Sequence, residues 1–267
     1  MPTTPVPTAD SATLAVTDVA VEAGGRRLLG PVTLGFAPGA VHGIIGHNGS
    51  GKSTLLKLLA RQIAPTGGGV ALGGEALGRL APRAFARRVA YLPQALPAGT
   101  GLTVRELVEQ GRYPWHGALG RATGADRAAV AAALEAAGLG GDADRMADAL
   151  SGGERQRAWI AMLIAQGARS LLLDEPTAAL DPAHTVEVMA VLRRLAHRDG
   201  AAVVVVLHDI NMAARFCDRL VALKRGRVLA DGPPAAVVTP AVLERIYGLP
   251  MAVLRRDGAA APVAVPA

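Results

Sequence analysis

One eight-residue stretch constrains this chain more than any other feature. Gly46-His47-Asn48-Gly49-Ser50-Gly51-Lys52-Ser53 follows the apolar run Val41–Ile45 and leads into a helical pattern over Ser53–Ala60. It matches G-x-x-x-x-G-K-[ST] in the strand–loop–helix setting that pattern requires. Glycines let successive backbone N–H groups turn inward around an anion, and the helix adds the positive end of its dipole. Lys52 is spaced to reach β- and γ-phosphates, and the Ser53 hydroxyl suits a Mg2+ position. Gly46 to Thr54 is therefore expected to bind a nucleotide, on an α/β fold that delivers loops to one edge of a parallel sheet.

Ser170-Leu171-Leu172-Leu173-Asp174-Glu175-Pro176 reads as an apolar strand ending in two carboxylates. A strand running into a helix cap would look the same. Beside a phosphate loop, however, Asp174 suits the Mg2+ held by Ser53, and Glu175 suits the polarising of an attacking water. Shortly before that strand lies Leu150-Ser151-Gly152-Gly153-Glu154-Arg155-Gln156-Arg157. Ser-Gly-Gly opening a helix is a second anion cradle. One nucleotide needs one phosphate loop, so a second cradle suggests a γ-phosphate bound from two sides, with two chains as one way to arrange it. For Ser151 alone, an ordinary N-cap is the plainer reading.

Further apolar runs at Leu14–Val21, Val89–Leu92, Ala202–Leu207 and Leu220–Leu223 read as buried strands. Helical patterns cover Val104–Gln110, Asp126–Ala137, Glu154–Gln166 and Pro182–His197, the first with a Thr103/Glu106 capping box and the last with Asp181 as N-cap. Residues 96–164 carry helices and no convincing strand. The expected organisation is a tail over 1–12, a core over about 13–95 and 165–257 with a helical insertion over 96–164, and a flexible tail over 258–267 whose Ala, Pro and Val follow no period.

Composition narrows the classes. Hydrophobic residues make up 51% and charged residues 19%, which excludes disorder over most of the chain. At 3% aromatics, a base-stacking RNA sheet or single-strand groove is disfavoured. The longest apolar runs, Ala201–Leu207 and Trp159–Ala165, fall well short of the roughly 20 residues a spanning helix needs. Met1 to Ala12 lacks the features of a signal peptide, and Cys217 is the sole cysteine, which suits a cytoplasmic protein. The net charge of +6 permits nucleic acid or an anionic membrane surface as neighbour, yet the basic residues are mostly scattered and mostly Arg.

In order along the chain, these motifs resemble the ATP-binding subunits of ABC transporters. The phosphate loop, Gln94 after Val89–Pro93, the Leu-Ser-Gly-Gly-Glu signature, Asp174-Glu175, Ala179-Leu180-Asp181 and His208 after a strand carry the likeness, from about residue 14 to 250. The resemblance implies a P-loop NTPase of ABC type, with an antiparallel β subdomain and an α-helical insertion. It also implies a homodimer, with each ATP between Lys52 of one chain and Ser151-Gly152-Gly153-Glu154 of the other. Glu175 would be the catalytic base, His208 would contact the γ-phosphate, Gln94 would sense Mg2+ and water, and Asp181 would work across the dimer interface. One departure stands out. Many members stack an aromatic on adenine after the first strand, but Val21-Glu22-Ala23-Gly24-Gly25-Arg26 has none.

Within the family, Gly111 to Gly120, Arg157 to Leu163, His208 to Arg215 and Ile246 to Met251 are similar to the iron–siderophore importer branch, the ferric hydroxamate group above all. That implies a peripheral subunit on the cytoplasmic face of the cell membrane, an integral-membrane permease partner touched by Tyr113, Trp115 and His116, and an indirect link to an extracytoplasmic siderophore-binding protein. Neither nucleic acid nor the cargo itself would be contacted. Tyr113 and Trp115 are expected in a loop, where an amphipathic pair suits an interface. Import of heme, cobalamin or another metal chelate is the alternative. A nucleic-acid-associated ATPase of the same superfamily is a remote one, since this chain carries no long coiled coil, zinc array or second ATPase unit.

Overall fold

A computed structural model describes residues 13–97, 101–117, 120–178, 180–254 and 261–267. In chain order, β1 (Leu14–Ala23), β2 (Arg26–Phe36), β3 (Ala40–Ile45), α1 (Lys52–Leu59), β4 (Gly67–Leu72), β5 (Glu75–Ala76), α2 (Pro82–Ala86) and β6 (Val89–Leu92) form the first part. Then come the helices α3 (Val104–Glu109), α4 (Tyr113–His116), α5 (Gly124–Ala136) and α6 (Gly152–Gln166). The last part alternates β7 (Ser170–Asp174), α7 (Pro182–His197), β8 (Ala202–Val206), α8 (Ile210–Phe216), β9 (Arg219–Lys224) and β10 (Arg227–Gly232), and ends in α9 (Pro234–Val237), α10 (Pro240–Tyr247), β11 (Met251–Leu254) and β12 (Val263–Pro266).

The central sheet runs β10-β9-β3-β8-β7-β6, parallel except for the β9–β10 hairpin. Strands β7 and β8 are buried at every position, which explains why they read as unbroken apolar runs: both faces of a parallel sheet are covered. One face packs on α1 and on an antiparallel sheet of order β2-β1-β4-β5; the other packs on α6, α7, α8 and α10. Register decides where the loops emerge. Ile44 pairs with Val206, Val206 with Asp174, and Leu173 with Leu92. Four strands therefore end level, and the segments holding Gly46, His208, Glu175 and Gln94 leave the sheet along one edge.

Between residues 101 and 166 the described residues hold helices and a single β-bridge, Thr103–Met146. Their core is small and Ala-rich (Ala133, Ala137, Ala158, Ala161 and Ala165 around Val104, Leu107 and Leu134). Helix α6 belongs to two cores at once. Ala158, Ala161 and Ala165 face the helical cluster, while Ile160 and Leu163 face the central sheet. No break in packing falls at residues 164–165; one helix ties the two parts together.

The antiparallel sheet was only partly legible. Strand β4 begins with three glycines, and β2 contains Gly30-Pro31, residues that weaken a strand pattern. Backbone crowding accounts for Gly68, whose φ is +71° and where a Cβ would lie 2.3 Å from the Asp18 carbonyl oxygen. Pro31 is tolerated because β2 is an edge strand. The expected tail over 258–267 needs correction. Residues 255–260 lie outside the described residues, as do 1–12, but Val263–Pro266 form β12 antiparallel to β11, with Ala264 4% exposed in the main core. Four-residue strands leave too little alternation to register as a pattern.

Candidate nucleotide site

The loop after β3 is shaped by two crowded glycines. Gly46 has φ +149° and a Cβ there would meet the Leu223 carbonyl oxygen at 2.3 Å; Gly51, at φ +102°, sits 2.9 Å from the Leu28 carbonyl oxygen by the same measure. Gly51 is also the N-cap of α1, so the helix opens with free N–H groups facing the loop. Lys52 is buried, and its Nζ donates to the carbonyls of Gly46 (2.9 Å) and His47 (3.2 Å). Burial lowers its pKa below the usual lysine range, partly offset by Glu175 and Asp174. A cavity of about 430 Å³ is lined by Asn48, Gly49, Ser50, Gly51, Lys52, Ser53 and Thr54 on one side and Gln94, Glu175 and His208 on the other. Gly46 and His47 stay behind the lining and hold the lysine. The Ser50 hydroxyl is buried with no hydrogen-bond partner among the described residues.

The carboxylates do what their position suggests. Ser53 Oγ donates to Asp174 Oδ1 at 3.0 Å. Asp174 is 3% exposed, and burial raises its pKa against the pull of Ser53 and of Lys57 and Lys52. Tyr91, behind it on β6, is pushed up to about 12 by burial and by the Asp174 charge. Glu175 holds φ +52°, a left-handed conformation that a non-glycine residue adopts at a cost of about 1–3 kcal/mol. Its Oε2 accepts from Gln94 Nε2 at 2.7 Å, and its Oε1 lies 2.6 Å from His208 Nε2. Three side chains from the ends of β6, β7 and β8 thus meet at one carboxylate. A hydroxyl, a buried carboxylate and a phosphate-shaped loop suit Mg2+, which binds through one or two carboxylates plus phosphates; no group of three or more His, Cys, Asp or Glu able to hold a metal occurs among the described residues.

The second cradle stands apart. Ser151 is an N-cap, with Glu154 N donating to Ser151 Oγ (3.3 Å) and Ser151 N to the Glu154 carboxylate (2.8 Å). Gly152 lines a second cavity of about 220 Å³ with Gln94, Glu175 and Pro176, while the phosphate cavity contains none of Ser151–Glu154. Gly153 packs on His184, where a Cβ would lie 2.8 Å from the ring. His184 in turn binds Asp181, the N-cap of α7, which keeps the Asp181 carboxyl below its ordinary pKa. Ala179 lies outside the described residues.

Tyr113 to His116 form the short helix α4 rather than the expected loop, with Pro114 fitting its first turn. Tyr113 and Trp115 are 50% and 41% exposed. Trp115 Nε1 donates to the Gln166 carbonyl, and the Arg87 and Arg112 guanidiniums lie 4.9 and 4.8 Å from its ring centroid. His116 Nδ1 is 2.9 Å from its neighbour Gly117 O, away from the nucleotide cavity. Ala23 is exposed and does not line that cavity, and no aromatic joins the lining among the described residues. Leu28 does, at 40% exposure. Nothing in the local sequence marks Leu28 for this place, since its neighbour Leu29 is fully buried; its exposure shows only in the fold.

A family model described as ABC transporter matches residues 29–178. The chain belongs to the ABC transporter family. Among curated proteins, this ABC ATP-binding subunit is 42% identical over 224 residues to the iron(3+)-hydroxamate import ATP-binding protein FhuC of Bacillus subtilis, covering 84% of this chain and 83% of that one. It is 44% identical over 250 residues to the hemin import ATP-binding protein HmuV of Bordetella pertussis, covering 91% and 94%. Among solved structures it superposes on a chain of an ABC transporter in an inward-facing conformation, with TM-score 0.84, 25% identity and coverage of 97% and 98%. The dimeric ABC transporter cassette MJ0796 matches with TM-score 0.72, 31% identity and coverage of 82% and 98%. The ABC ATPase fold expected from the motifs is the fold observed, and the family's activity is ATP hydrolysis coupled to transport. No helix among the described residues is long and apolar enough to cross a membrane.

Proposed function

We propose that this subunit powers import of an iron chelate, a ferric hydroxamate siderophore in the first instance. The convergence of Gln94 and His208 on Glu175, opposite Lys52 and Ser53, carries the chemical part of this reading. ATP phosphates enter the loop, and Lys52 exchanges its two carbonyl partners for phosphate oxygens. Ser53 and Asp174, with Gln94 nearby, would hold Mg2+, which when bound would supply charge neutralisation at the phosphates. Glu175 takes the proton of the attacking water. Gln94 and His208 fix the orientation of its carboxylate, and His208 can then turn its imidazole to the γ-phosphate.

Ser151-Gly152-Gly153-Glu154 do not reach the phosphate cavity of their own chain, and the MJ0796 cassette is a dimer. Both facts support a head-to-tail homodimer in which a partner's signature closes each ATP, with Asp181 at the shared face. Closure is favoured because ATP gains contacts only in the closed pair. Tyr113, Trp115 and His116 are assigned to an integral-membrane permease, supported by two exposed aromatics on a rigid, arginine-stacked helix. Such a permease places the subunit at the cytoplasmic face of the membrane and links it indirectly to an extracytoplasmic binding protein. Nucleic acid and cargo make no contact with this chain in that arrangement.

Similarity to a hemin importer subunit supports a second cargo reading. Uptake of labelled ferrichrome-type and heme substrates by a deletion strain separates the two. Loss of hydroxamate uptake is expected; loss of heme uptake alone would sink the hydroxamate assignment.

A further inference from the structure

The C-terminal strand β12 is joined to the helix that follows His208. Asn211 Nδ2 donates to the Ala264 carbonyl at 3.0 Å, and Ala264 N donates to Asn211 Oδ1 at 2.7 Å. The carboxamide therefore pairs with β12 as another strand would. Ala264 is opposite Val253 in the β11–β12 hairpin, yet it turns its own N–H and C=O outward to Asn211. It is also 4% exposed within the main core, with Met251 and Val253 packed against that core.

Asn211 lies three residues after His208, at the start of α8. That helix has seven residues, too few to hold itself in place. Its N-terminus is fixed from inside by Asp209, whose side chain accepts from Asn211 N (2.7 Å) and Met212 N (3.0 Å). His208 is thus held on one side by β8, through Leu207 N bonded to Ile44 O (3.1 Å), and on the other by α8. Ile210, Ala213 and Ala214 seat α8 in the main core, and the Asn211–Ala264 pair adds a directional polar tie at its first turn. No described residue of the hairpin lines the phosphate cavity, and its contact with Asn211 gives it a route to His208 through α8.

We propose that Asn211 is a positioning residue and that the C-terminal hairpin braces α8 so that His208 meets Glu175. This rests on the reading of Glu175 and His208 as the hydrolytic pair. The brace acts on turnover and leaves ATP affinity to the phosphate loop, because small misplacement of a reacting group lowers rate without touching remote binding contacts.

The test uses the full-length chain with Asn211→Ala and, independently, Ala264→Pro. The proline removes the outward N–H donor and keeps the Ala264 carbonyl, so one of the two bonds to Asn211 is lost. Hydrolysis and ATP binding are measured separately, with thermal melting as the check on folding. Each variant should lose about tenfold in kcat with KM and Kd for ATP within about twofold of wild type. The double variant should lose no more than Asn211→Ala alone, since the proline removes one of the two bonds that the alanine removes together. Wild-type kcat in the two folded variants overturns the proposal. So does a parallel rise in KM and Kd, or failure of both variants to fold, either of which marks the hairpin as a general stabiliser. Glu175→Gln runs alongside as control. If that variant still turns over like wild type, the hydrolytic reading fails; if it is inactive while Asn211→Ala is not, the brace alone fails.

Discussion

The carboxyl edge of the central sheet and the surface around α4 are built by different means. Along the edge, backbone register does the placing: Ile44, Val206 and Asp174 lie in one line across three strands, so the residues just beyond them meet. Every charged group there already has a partner in the protein. Lys52 is held by two loop carbonyls, Asp174 by Ser53, and Glu175 by Gln94 and His208. Around α4, side chains do the placing. A four-residue helix is fixed by Trp115 between two arginines and by Arg87 reaching the Pro114 carbonyl. The first arrangement presents polar groups that can exchange partners when phosphate arrives. The second presents a fixed apolar shape that exchanges nothing, as suits a docking surface.

Substitutions should separate these two logics. The largest binding effect is expected at the edge. Lys52→Ala removes a charge-assisted contact to phosphate worth about 2 kcal/mol, a rise in ATP Kd of roughly 30-fold by titration calorimetry. Stability should hardly suffer, because the lysine is itself desolvated at a cost. Trp115→Ala should behave in the opposite way. It forfeits two cation–π contacts and one hydrogen bond, about 2 kcal/mol of stability by denaturant titration, and lowers uptake more than ATP hydrolysis. Equal losses in uptake and hydrolysis would merge the two surfaces into one.

Two smaller effects sharpen the picture. Ala23→Tyr supplies an aromatic in the loop after the first strand and, if that loop meets the base, should tighten ATP by about 1 kcal/mol, roughly fivefold. An unchanged Kd would mean that Leu28 already supplies the contact. Near α4, Asp126 is held well below the usual carboxylate range by its bonds from Thr123 and then Arg112. Its folded pKa lies below its unfolded one, so its stabilising contribution is complete above the unfolded value and fades as pH falls through the folded one. Acid unfolding of Asp126→Asn should accordingly begin from a lower stability at neutral pH and fall less steeply than wild type.

How much could be read in advance follows the same division. Strands β3, β7 and β8 and the residues after them were legible, because burial on both faces writes an apolar run and the chemistry sits at its end. Helices α3 and α7 announced their caps in Thr103, Glu106 and Asp181. The β2 and β4 strands were hidden by Gly30-Pro31 and by Gly67-Gly68-Gly69, where close backbone contact matters more than propensity. The left-handed Glu175 and the exposed Leu28 had no local signal. Asn211 was read as part of a family stretch, yet its partner Ala264 lies 53 residues away, in a strand too short to show alternation.

Everything above turns on Glu175 as the group that takes the proton from water. Single-turnover hydrolysis by Glu175→Gln, measured beside its ATP affinity, addresses that directly. With the carboxylate replaced by an amide of equal size, ATP should bind as in wild type while the rate falls at least about 100-fold. A variant that hydrolyses ATP at the wild-type rate would contradict the assignment of the base and with it the account of this edge.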